Sequence, residues 1–391
     1  MKAANSITVE TFAVAVDRAQ LIVRGAFSTI ELRHADGTLL APAAATQLDL
    51  PVRNRLGKVR SPAGDHLAAV DFSGLAQSER YAVVIDGAEH TSITTLNRPA
   101  GRLVAKVATV SDLHVGQRRN GRLPRVHVLA ETGPVDHHAG HAMACLRAAV
   151  AEINAWNPDL VLVKGDIAHT NAAEEYDLAF GALGRLTAPL LATAGNHDGG
   201  DYQGADFAIE ATRLGQAADQ VHVRDLGSWR IVVADTVVTG KRTGTFTKSG
   251  EAIVQACQEW DGPCLVALHH QLMRRRVPHY VPTGIPSVEA EPFLRRLLAA
   301  NPRVLVTSGH THRHRTRRHG SVVVTEVGST KDYPGTWAGY ELYEGGVVQT
   351  VHRIADPEAL MWNERTRQAA LGIWGWWAPG TLADRCFSHV W

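Results

Sequence analysis

Five short polar clusters in this chain of 391 residues combine side chains able to hold a metal ion. They are Asp112 with His114, Asp166, Asn196 with His197 and Asp198, His269 with His270, and His310 with His312. Their donors are carboxylate, imidazole and one amide oxygen, with no thiolate, a set that suits borderline or hard divalent cations and ferrous or ferric iron. There are enough ligands for two ions. Taken singly, each residue has a plain structural role open to it, because buried histidines and strand-end aspartates are often only hydrogen-bonded. Asp112 could cap the turn after its strand, and Asn196 could occupy a left-handed turn beside Gly195. Those roles do not explain why six imidazoles and three carboxylates recur in clusters of one kind.

The elements that must position them are legible as apolar runs. Residues 103–110, 160–163, 190–192, 264–268 and 303–307 each read as a buried strand that ends in one of the clusters, and 229–234 and 322–327 read as two more. Ala142, Met143, Leu146, Val150, Ile153 and Trp156 recur at helical spacing until Asn157-Pro158-Asp159 stops the helix. Further helices are expected near 173–186, 249–260 and 289–300. Strand and helix in alternation favour a mostly parallel or mixed sheet covered by helices, and ligands of such sheets bind beyond the carboxyl ends of the strands. The five clusters are therefore expected to converge. Residues 1–100 have a different texture: short alternating strands such as 7–16, 20–24 and 81–86, punctuated by Asp36-Gly37, Pro62-Ala63-Gly64 and Asp86-Gly87. That pattern suggests a separate antiparallel sandwich, joined through residues 97–101. Within it, Leu75 and Tyr81 resemble the corner of fibronectin type III-like modules. We divide the chain into 1–100, 101–355 and a C-terminal helix with a Trp-rich tail over 356–391.

Composition narrows the function classes. Lys and Arg total 40 against 39 Asp and Glu, a net charge of +1, so the chain is no general polyelectrolyte binder. Nucleic acid is an unlikely partner that stays open, since any such contact would be local. Four scattered cysteines without a CxxC pair argue against a zinc ribbon or a disulfide framework and suit a reducing compartment. No apolar run reaches the roughly 18 residues of a membrane span, and no uninterrupted apolar segment follows the start. The expectation is a soluble, cytoplasmic protein without a membrane partner.

The order and wording of the clusters resemble the calcineurin-like metallophosphoesterase superfamily: Asp-x-His, Gly-Asp, Gly-Asn-His-Asp, a lone His, then Gly-His-x-His, over about residues 103–353. The resemblance implies a four-layer α/β/β/α sandwich preceded by the small all-β domain, and hydrolysis of phosphoesters at a dinuclear centre of Mn, Fe or Zn with a bridging hydroxide as nucleophile. It implies that Asp112, His114 and His312 hold one metal, that Asn196, His269 and His310 hold the other, and that Asp166 bridges them. His197 would act on the developing charge or the leaving oxygen, with Asp198 fixing its tautomer. Purple acid phosphatases share the order of domains but need a tyrosine where His169 stands. Class III cyclic-nucleotide phosphodiesterases and related bacterial enzymes look closer around Gly165-Asp166-Ile167-Ala168 and Leu268-His269-His270, although many carry Asp at the position of His169. The expected substrate is a small phosphodiester, a cyclic nucleotide or glycerophosphodiester. A phosphomonoester or nucleotide-sugar pyrophosphate comes second, a nuclease third, and a non-catalytic scaffold of the retromer type last.

Weaker signals surround these motifs. Asp136-His137-His138-Ala139-Gly140-His141 could contact substrate, or simply cap a helix with solvated imidazoles. Arg118, Arg119, Arg122 and Arg125 follow the first motif, Arg274-Arg275-Arg276 the fourth, and Arg313, Arg315, Arg317 and Arg318 the last. They would form either a solvated face or a basic rim for a phosphorylated substrate. Trp374, Trp376 and Trp377 suit docking on the core or on a second copy in a homodimer.

Overall fold

A five-residue strand with every side chain buried needs cover on both faces, and Leu160–Lys164 is such a strand. The computed structural model describes residues 7–53, 59–117, 119–120, 129–130, 140–199, 204–214, 216, 220–275 and 282–391. In it, Leu160 and Leu162 face one way, Val161 and Val163 the other, as a pleated strand requires. Its sheet runs Leu190–Thr193, Leu160–Lys164, Leu103–Val110, Thr336–Tyr343, Gly346–Arg353, Cys386–Val390. The first three strands are parallel and the rest antiparallel. A second sheet runs Val221–Leu226, Trp229–Ala234, Cys264–Ala267, Val304–Ser308, Val322–Glu326, Arg315–His319, parallel except at its two edges.

The two sheets pack face to face. Val107, Leu160, Leu162 and Tyr340 of the first belong to one core with Ile231, Val233, Leu265 and Leu305 of the second. On the outer face of the first sheet, Val161 and Val163 meet Met143, Leu146, Val150 and Ile153 of helix His141–Trp156. On the outer face of the second, Val266 and Val306 meet Ile253 of helix Gly250–Gln258 and Phe293 and Leu297 of helix Ser287–Ala300. These are the four layers expected.

The N-terminal strands form two antiparallel four-stranded sheets, Thr8–Val14, Arg18–Arg24, Val59–Ser73, Ala44–Arg53 and Leu39–Leu40, Ile30–Arg33, Arg80–Ile85, Ala88–Thr94. At the corner singled out in the sequence, the buried Tyr81 accepts a hydrogen bond at its hydroxyl from Ala76 N at 2.9 Å. This all-β part is tied to the rest by Gln20, whose amide donates to Arg353 O at 2.9 Å and accepts from Arg353 N at 2.8 Å. The C-terminal segment folds back onto the second sheet: Trp391 lies with its ring 5.5 Å from that of Trp229, and its Nε1 donates to Ser321 O. Among the described residues no helix is long and apolar enough to cross a membrane.

Candidate metal centre

Every cluster sits in the turn that leaves the carboxyl end of a strand, and hydrogen bonds between the two sheets lock those turns together. His310 N, at the end of a second-sheet strand, donates to both oxygens of Asp112 at 3.1 and 3.0 Å, at the end of a first-sheet strand. His269 Nδ1 donates to Lys164 O at 2.7 Å in the same sense. Lys164 itself is fully buried and donates to Thr307 Oγ1 at 3.0 Å and Ser308 O at 2.8 Å, stitching the strands beneath the site. Two glycines make this approach possible. A Cβ on Gly195 would fall on Asp166 and lie 2.8 Å from His269 Cε1, and one on Gly309 would collide with Ser111 and Asp112.

The donors gather in two adjoining groups. In one, Asp112, His114, Asp166 and His312 each place a ligand atom within 4.8 Å of the others. His114 Nε2 is 3.2 Å from His312 Nε2, and Asp112 Oδ1 is 3.2 Å from the same nitrogen. In the other, His269 Nε2 is 3.2 Å from His310 Nδ1 and 3.3 Å from Asn196 Oδ1. Asp166 belongs to both: Oδ2 is 3.4 Å from His114 Nε2, and Oδ1 is 3.4 Å from His269 Nε2. Ring nitrogens facing away from the groups are engaged, His269 Nδ1 on Lys164 O, His310 Nε2 on Thr283 O and His312 Nδ1 on Asp332. Such outer bonds fix the tautomer that presents the other nitrogen to a cation.

Electrostatics describe a site made for positive charge. Burial alone would raise the Asp166 carboxyl, yet His269, His197 and His114 hold it well below the carboxylate range. Asp112 is likewise held down against burial by His312 and His269. Burial works against protonation of His269 and His312, but Asp166 holds the first and Asp112 the second up to about 9. His310 is pushed down to about 3 by burial and by His269, and His114 well below its usual value by burial, His197 and Lys331. Histidine gives up its proton when it binds a metal, and the nitrogen and oxygen donors suit a borderline or hard cation.

His197 lies beside the first group, its ring 4.4 Å from that of His114 and stacked at 5.3 Å on His169. Its tautomer is not set by Asp198, as the sequence suggested. His197 Nδ1 bonds to His169 O at 2.7 Å, while Asp198 accepts from Ile167, Ala168 and Gly195 N and from the Tyr176 hydroxyl. Asp198 is buried one position along a tight three-residue turn, so its carboxylate reaches back to bind the two ligand turns to each other. Burial and Asp166 push it up to about 6.

Of the weaker signals, His137, His138, Arg118, Arg122, Arg125 and Arg276 lie outside the described residues, as does the side chain of Arg119. His141 is buried and stacks on Trp362 with ring centres 3.8 Å apart. Trp374 lies 6.1 Å from the His312 ring, and the Arg313 guanidinium sits over Trp377 at 4.8 Å. Sequence reading passed over Asp332, which holds His312, and weighed His169 only as a departure from related families, whereas it joins His114 and His197 in a third group of nitrogen donors. Asp332 carries the same signature as the other clusters: it follows the apolar strand Val322–Glu326 in the run Ser329-Thr330-Lys331-Asp332.

The profile of the family described as calcineurin-like phosphoesterase matches residues 105–314, just over half of the chain. A probable cyclic nucleotide phosphodiesterase of Psychrobacter arcticus is 26% identical over 252 residues, which are 61% of this chain and 84% of that protein. The glycerophosphodiester phosphodiesterase GpdQ of Enterobacter lignolyticus is 28% identical over 210 residues, 46% of this chain and 64% of that one. Among solved structures, a dimetal phosphatase from Danio rerio aligns with 64% of this chain and 96% of its own, at 14% identity and a TM-score of 0.49. With that profile covering more than half of the chain and all five clusters from Asp112 to His312, the chain belongs to the calcineurin-like phosphoesterase family and is a metallophosphoesterase.

Proposed function

We propose that the protein hydrolyses a small phosphodiester, a cyclic nucleotide or glycerophosphodiester, at a dinuclear centre. Asp112, His114 and His312 hold one cation, Asn196, His269 and His310 the second, and Asp166 serves both. The observation that carries this reading is the Asp166 carboxylate, with one oxygen 3.4 Å from a histidine of each donor group. Two such cations, when bound, supply Lewis-acid stabilisation of the phosphoryl oxygens and a water acidic enough to ionise near neutral pH. The chain's own residues complete the chemistry. His197, whose Nδ1 donates to the His169 carbonyl, takes up a proton from solvent at Nε2 and gives it to the leaving alkoxide. Asp198 acts as a positioning residue through the backbone of residues 167, 168 and 195. Relatives named as cyclic nucleotide and glycerophosphodiester phosphodiesterases support a diester over a monoester. Four buried free cysteines support a reducing, cytoplasmic setting.

The test compares hydrolysis of a chromogenic phosphodiester with that of the matching monoester by protein reloaded with Mn. Faster diester cleavage, abolished by Asn196→Ala, is expected. Preference for the monoester, or turnover that survives Asn196→Ala, overturns the proposal.

A further inference from the structure

A run of arginines follows the last proposed ligand along the chain. Directly after the last ligand, His312, the chain runs into an edge strand, Arg315–His319, antiparallel to Val322–Glu326. Beside it is a cavity of about 470 Å³ lined by Arg274, Arg313, Arg315, Arg317 and Arg318, with Asp384 as the one acidic side chain among the described residues that line it. Register explains the crowding: Arg315 and Arg317 alternate onto the same face of their strand, which is the face Glu326 occupies.

The acidic groups present do not balance these cations. Glu326, fully buried, is shared between Arg313 Nε at 3.1 Å and Arg317 Nη2 at 2.9 Å. Asp384 already accepts from Thr316 N at 2.8 Å, Thr381 N at 2.9 Å and the Thr381 hydroxyl at 2.7 Å, and bonds to none of the arginines. Arg318 donates to His389 Nδ1. Arg317 Nη2 also donates to Leu272 O at 2.9 Å, which leaves Arg274 and Arg315, with the His389-bound Arg318, as the cations of the cavity with no carboxylate partner among the described residues. The face-on contact with Trp377 and the bond to Glu326 hold Arg313 in a fixed orientation, so little side-chain freedom is lost when an anion arrives.

We infer that this cavity binds a diphosphate group. Guanidinium forks pair with two oxygens at a time, and several forks converging on one cavity match a group with many charged oxygens better than a single carboxylate. The volume falls in the range of small-ligand pockets. None of the proposed metal ligands lines the cavity, so the inference does not rest on the diester reading.

The test titrates the full-length protein, and its Asn196→Ala variant, with inorganic pyrophosphate in metal-free buffer, followed by calorimetry and tryptophan fluorescence. One saturable site in both proteins is expected. The double variant Arg274→Ala/Arg315→Ala, with its melting temperature checked as a control for folding, should bind about 100-fold more weakly or worse, the loss expected for two charge-assisted contacts. ADP binding tighter than pyrophosphate identifies the diphosphate of a nucleotide as the source, and equal affinity identifies free pyrophosphate. No saturable binding overturns the inference. So does binding lost in Asn196→Ala but kept in the arginine double variant, which places the anion at the donor groups. Displacement of pyrophosphate by a short single-stranded RNA at lower concentration overturns it in favour of a nucleic-acid backbone.

Discussion

Asp112, His114, Asp166, His310 and His312 all have positive φ, between 44° and 68°, although none is glycine. Each such residue costs on the order of 1–3 kcal/mol relative to ordinary backbone, and outliers of this kind collect at functional sites. Here the left-handed step at each strand end brings donors from adjacent turns to a common point, and bonds such as His310 N to Asp112 offset the strain. Ligand orientation then depends on outer partners. Asp332 engages His312 Nδ1 while itself held by Lys331 at 2.8 Å. Asp332→Asn should therefore weaken metal binding about 10–100-fold, read by competition with a chelator of known affinity. Unchanged affinity would remove Asp332 from any role in the centre. The ligand types were legible in the sequence because each follows an apolar strand. The left-handed backbone was not, nor were the partners of Asp198, which come from the separate turn at Ile167 and Ala168 and from the Tyr176 hydroxyl as well as from neighbouring Gly195.

Strands were legible from their apolar runs, and helix His141–Trp156 from its spacing. What spacing does not reveal is the polar clasp that helices use against sheets. Glu152 on this helix accepts from Trp337 Nε1 at 2.8 Å and Ala355 N at 2.7 Å, fixing the outer layer to strand Thr336–Tyr343. Burial pushes its carboxyl from 4.5 up to about 7, against the pull of those two donors. Between those values the folded chain holds a proton that the unfolded chain has released, so this group's contribution to stability declines as pH rises through that window. Glu152→Gln cannot ionise. The difference in melting temperature between the variant and the parent should shift in the variant's favour from pH 5 to pH 8. A difference that stays constant would show that Glu152 does not titrate in this window.

Across the whole molecule, one buried carboxylate holds three parts of the chain. Glu364 of helix Pro357–Thr366 receives Arg24 Nη2 of the N-terminal sandwich at 2.8 Å, and Arg353 of the first catalytic sheet. Burial would raise Glu364, but Arg353 and Arg24 hold it down at about 2. Glu364→Ala leaves Arg353, which is wholly buried, without its counter-charge. The expected loss is about 3–5 kcal/mol in denaturant unfolding; a loss under about 1 kcal/mol would mean that the arginines find water or other partners. None of these long-range pairings shows in local pattern, which is why two sandwiches were legible but the joint between them was not.

The outermost strand of the first sheet, Cys386–Val390, pairs with Gly346–Arg353, while the same sheet's central strand is Leu103–Val110. A ribosome will therefore have released every proposed ligand, up to His312, long before the edge of that sheet can be covered. During that interval the backbone of Gly346–Arg353 is open to pairing with another nascent chain. Pairing of Leu103–Val110 with Thr336–Tyr343, about 230 positions along the chain, also slows folding, because that long loop must close before the contacts form.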